Sequence, residues 1–143
     1  MNTKKLARSA LVFAVLALGA AAAGLPRSPA PKDVELYLIS PKDGDTVTSP
    51  VTVRFGLRGM GIAPAGVAME NTGHHHLLID APPPPFDQPV PADANHVHFG
   101  KGQTEASIAL APGRHTLQLL LADHLHIPHD PPVTSKPITI TVR

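Results

Sequence analysis

Apolar and polar positions alternate with a period of two in several short runs of this chain, the pattern of strands with one face buried. The clearest run is 51–57, where Val51, Val53, Phe55 and Leu57 alternate with Thr52, Arg54 and Gly56. Residues 34–39 form a strand by their β-branched and aromatic content, and 138–142 alternates Ile and Val with Thr. Leu77, Leu78 and Ile79 are apolar on both faces, which suits a central strand with His74, His75 and His76 at its entry end. Residues 104–110, the turn Ala111-Pro112-Gly113 and residues 114–122 predict a β-hairpin. Its second arm places His115, Leu117, Leu119 and Leu121 on one face and Arg114, Thr116, Gln118, Leu120 and Ala122 on the other, the latter face continuing to His124 and His126.

Punctuation between these runs is dense. Ser40-Pro41-Lys42-Asp43-Gly44-Asp45 reverses the chain or moves it to another sheet. Residues 58–73 form a long loop with four glycines and two methionines, and Pro82-Pro83-Pro84-Pro85 opens a second, stiffened connection to about Asn95. No helical period of useful length follows residue 33. The expectation is an all-β fold: an antiparallel immunoglobulin-like β-sandwich of six to seven strands over 34–143, with a small barrel as the alternative.

The first residues read differently. Lys4, Lys5 and Arg8 precede the apolar segment 9–18, and small residues 19–24 offer cleavage sites near Ala22 or Ala23. Residues 1–23 are therefore expected to be a signal peptide, 24–33 an extended leader, and the address the periplasm or the exterior. At about 15 residues the apolar run is short of the roughly 20 that span a bilayer. Cleavage would leave nine basic and eleven acidic residues, a formal charge of −2, which removes the electrostatic basis for binding nucleic acid. The absence of cysteine excludes disulfides, thiolate metal sites and a blue-copper centre.

Nine histidines change the picture most. Three His-x-His tripeptides occur, His74-His75-His76, His96-Val97-His98 and His124-Leu125-His126, with His129-Asp130 close behind the last. On a strand, residues two apart share a face with Cα atoms roughly 6.5–7 Å apart, so two rings leaning together can hold one ion at about 2.0–2.1 Å. The candidate metal ligands are His96, His98, His124, His126, His129, His74 and His76. An all-imidazole set in an exported protein suits copper or zinc, with Met60 or Met69 as added affinity for copper(I). Asp80, Glu105, Asp123 and Asp130 are candidates to orient the rings. His75 and His115 are read as structural.

Two other classes stay open: a metal-free structural or interaction module, docking a partner from the envelope through a pH-sensitive histidine rim, and a metal-dependent enzyme with Glu105 or an aspartate as general base. Nothing in the sequence fixes a substrate pocket or a Ser-His-Asp set. The blocks Gly73-His74-His75-His76-Leu77-Leu78-Ile79-Asp80, His96-Val97-His98-Phe99-Gly100-Lys101-Gly102-Gln103-Thr104-Glu105, 112–119 and 123–132 resemble an uncharacterised bacterial family, domain of unknown function 4399. The resemblance implies a small exported bacterial domain and carries no activity with it.

Overall fold

A computed structural model describes residues 24–143; the expected signal peptide lies outside the described residues. Within them the chain forms strands and no helix, and nothing among them is a helix long and apolar enough to cross a membrane. The strands are β1 (Glu35–Ser40), β2 (Thr46–Val47), β3 (Val51–Arg58), β4 (Gly61–Ile62), β5 (Thr72–Ile79), β6 (His96–His98), β7 (Glu105–Ile108), β8 (Gly113–Ala122) and β9 (Ile138–Val142). One sheet is three-stranded, in the order β1-β3-β7. The other is six-stranded, in the order β2-β9-β8-β5-β4, with β6 also paired to β5. Pairing is antiparallel except for the two-residue contacts of β2 with β9 and of β4 with β5.

Alternation along each strand decides what the sheets bury. Leu36, Leu38, Val51, Val53 and Phe55 of the smaller sheet meet Leu77, Ile79, Leu117, Leu119, Leu121, Ile140 and Val142 of the larger in one apolar core. Full burial of each such side chain stabilises the fold by about 1.5–3 kcal/mol relative to exposure. The larger sheet is covered on its other face as well. There Leu120 and Ala122 pack against Val90 and Phe86 from the proline-rich connection after β5. That connection is therefore a cover for the sheet, and it explains why β5 is buried along nearly its whole length.

Two expectations are corrected. Residues 104–110 and 114–122 do not form a hairpin: β7 pairs with β3, and β8 pairs with β5 and β9. Val51 and Val53 offer β7 a partner in the smaller sheet, so the Ala111-Pro112-Gly113 link crosses between sheets. The histidines of β5 also do not stand at a strand entry. His74, His75 and His76 lie inside the ladder, opposite Ala122, Leu121 and Leu120. The 24–33 segment runs extended, and it is tied down: Asp130 exchanges backbone bonds with the 28–30 stretch (Ala30 N to Asp130 O, 2.8 Å; Asp130 N to Ser28 O, 2.9 Å). Arg27 donates to the carbonyls of Pro128 and His129.

Candidate metal centre

The period of β5 splits its three histidines. His75 points into the core with Leu77 and Ile79, its ring centroid 5.0 Å from that of Phe55. His74 and His76 leave the opposite face, on the side of Leu120 and Ala122. Strand β6 lies antiparallel to β5 with His98 opposite His76, so its ring joins the same face. The fourth imidazole, His126, comes from the turn after β8. Asp123 builds this turn: one carboxylate oxygen accepts from the N–H groups of Leu125 (2.9 Å) and Ile127 (3.1 Å), and the other accepts from the Ser28 hydroxyl (2.6 Å). His126 then adopts a left-handed backbone, φ 66°, which brings its ring back over the sheet.

The result is a four-imidazole cluster in which one nitrogen of each of His74, His76, His98 and His126 lies within 4.8 Å of the others. Ring centroids are 4.7 Å apart for His74 and His76, 5.0 Å for His74 and His126, and 4.8 Å for His98 and His126. His74 Nε2 and His126 Nδ1 are 3.1 Å apart. Four nitrogens set tetrahedrally about one ion at 2.0–2.1 Å stand roughly 3.3–3.4 Å from one another, so the set fits one ion after ring movements that draw the nitrogens together. Glycine makes one approach possible: a Cβ on Gly100 would stand 2.6 Å from His98 Nε2.

Burial fixes the protonation state. It pushes His76 down to about 2, helped by repulsion from His74, His98 and His126, and His74 down to about 4, helped by His126 and His98. His98 is lowered by the same two causes, burial and then His126. These three rings are therefore neutral at pH 7, and a neutral imidazole carries one nitrogen lone pair able to bind a cation. His74 Nδ1 and His76 Nδ1 are buried without a hydrogen-bond partner, which leaves imidazole polarity uncompensated on this face.

The other candidates lie apart from this cluster. His96 shares the face but its Nδ1 sits 2.8 Å from Asp93 Oδ1. His124 faces a separate cavity with Met69 and Glu70. His129 is buried, with Nε2 3.1 Å from the carbonyl of Thr72. The i, i+2 rule fails at 124 and 126 because β8 ends at Ala122 and the pair falls in a turn. Met60 packs against the core and Met69 is exposed, and neither stands with the four rings. The carboxylates are engaged elsewhere: Asp80 with His115 (2.7 Å), Glu105 with Arg54 (3.1 Å), Asp130 with Arg27 (3.3 Å). His115 also bonds the carbonyl of Ala111 (2.8 Å), and this bonding, the Asp80 contact first, raises its pKa. Gly100 and Asp123 carry the site without touching an ion. The short spacing of Gly100 from His98 is the signal for the first; Asp123, expected to accept from a ring, accepts instead from the backbone of the turn and from Ser28.

Fold and site together define an all-β protein in which three imidazoles of the larger sheet and one from the turn after β8 form a cluster that could hold a metal ion. Residues 53–143 match the family described as "Domain of unknown function (DUF4399)", and the chain belongs to that family. No curated protein and no solved structure matches it.

Proposed function

We propose that this is an exported protein that binds one copper or zinc ion through His74, His76, His98 and His126, in a binding, storage or delivery role. One observation carries the reading: four imidazoles from two neighbouring strands and a turn converge within 4.8 Å on one face. Keeping several desolvated rings in contact is unfavourable for packing alone, and an ion offsets that cost. Export rests on the signal-like residues 1–23, and we read the two sheets as an immunoglobulin-like sandwich from their shared core. Between the metals, an all-nitrogen set suits copper(II) and zinc alike.

The test is metal analysis of protein purified without a metal-affinity step, followed by copper and zinc titration. The wild type is expected to take up about one ion per chain with micromolar or tighter affinity. A ligand present at about 100 times its Kd would stabilise the fold by about 2.7 kcal/mol, visible as a higher Tm. His76→Ala/His126→Ala should abolish this binding, and His96→Ala/His124→Ala should leave it in place. Absence of binding in the wild type, or binding unchanged in the first variant, turns the reading toward a metal-free interaction module.

A further inference from the structure

A cavity of about 240 Å³ adjoins the cluster. His76, His98 and His126 form its floor, and residues 89–92 form its wall. His74, fully buried, does not line it. The wall is held open and in place: Val90 N donates to the carbonyl of His126 (2.8 Å), and the Val90 side chain packs on Leu120 and Ala122. Pro89 and Pro91 flank that anchor and restrict the backbone on both sides. The cavity thus exists beside the rings without any opening movement, and at about 30 Å³ per liquid water it has room for several small molecules.

Closed structural sites surround the ion with protein on every side, whereas reactive sites leave one position free. Here three of the four rings, His76, His98 and His126, border a preformed space, so an ion held among them would face it. The wall side chains, Pro89, Val90, Pro91 and Ala92, provide no charge and no side-chain hydrogen-bond donor. A larger polar molecule would find nothing to bind there except the ion. We propose, resting on the metal reading above, that an ion in this site keeps an exchangeable coordination position facing the cavity, and that this position takes a small inorganic anion.

The experiment uses the full chain loaded with copper(II) and azide as the probe, with copper uptake measured first and azide added afterwards. Azide is expected to produce a saturable azide-to-copper charge-transfer band and to change the copper electron paramagnetic resonance spectrum. Ala92→Trp, at an exposed wall position, should retain copper while weakening azide binding at least tenfold; Ala92→Leu is the milder variant should tryptophan disturb the fold. Copper bound with spectra unchanged at high azide overturns the open position and leaves the metal reading standing. Azide binding equal in the wild type and both wall variants overturns the cavity as the route. No copper uptake by the wild type removes the metal reading, and this inference with it.

Discussion

At the scale of single residues, two positions without chemistry of their own govern the cluster. The His98 ring occupies the space a Cβ at Gly100 would take, and Gly100 does not need a left-handed backbone, so the chain accepts alanine there. His98 is the exposed member of the four and is free to swing away. Gly100→Ala should therefore cost little stability, within about 1 kcal/mol, since the displaced ring leaves toward solvent. It should weaken metal binding by about 10–100-fold, the usual cost of losing ligand orientation. Parallel thermal melts and copper titrations check this: equal loss of both, or of neither, contradicts it. His75 shows what residue identity leaves open. Its neighbours on either side reach the cluster, yet its own ring lies against Phe55 with both nitrogens unpartnered, because a strand alternates faces at every residue.

At the scale of elements, the turn 123–127 separates strand reasoning from structure. A continued β8 would have placed His124 and His126 on one face; instead Asp123 ends the strand by accepting two backbone N–H groups. Asp123→Ala leaves those donors without their carboxylate acceptor, at a cost of about 1–3 kcal/mol for each one that stays buried. The same change releases His126, so it should weaken metal binding as well, and Asp123→Asn, which keeps one acceptor oxygen, should fall between. Denaturant unfolding with metal titration reads both effects. Strands β3, β5, β8 and β9 were legible from alternation and apolar runs, whereas the polyproline stretch read as a stiffened connection and only its packing shows that the connection covers the sheet. The β7–β8 link was not, because a turn signal says that the chain bends and not which sheet receives it.

At the scale of the whole molecule, burial of several titratable rings ties stability to pH. In metal-free protein His74 and His75 fold with values near 4, below the ordinary 6.5, so the unfolded chain binds more protons between those limits. Stability is full above pH 6.5 and falls as pH drops toward 4, with a slope of up to about 1.4 kcal/mol per pH unit for each such group. His115 acts in the opposite sense. Its raised value gives stability that is present below pH 6.5 and lost as pH rises through the folded value, and the partly exposed Asp80 contact makes this the smaller effect. Urea midpoints of chelator-treated protein at pH 7 and pH 5 should show the lower stability at pH 5; an unchanged midpoint would contradict the burial of these rings.

The sequence by itself determined the all-β character, the principal strands, the lack of thiolate chemistry and the histidine-rich blocks, because strand period and composition are local properties. Only the tertiary structure decided which histidines meet. Pairing of β6 to β5 sets His98 opposite His76, the turn at Asp123 folds His126 over the sheet, and the proline-rich connection roofs that face. The meeting point is accordingly a covered sheet face, whereas strand-end reasoning pointed to an open rim. Register, sheet order and turn closure are long-range choices settled by shared burial, and spacing along the chain does not encode them one residue at a time.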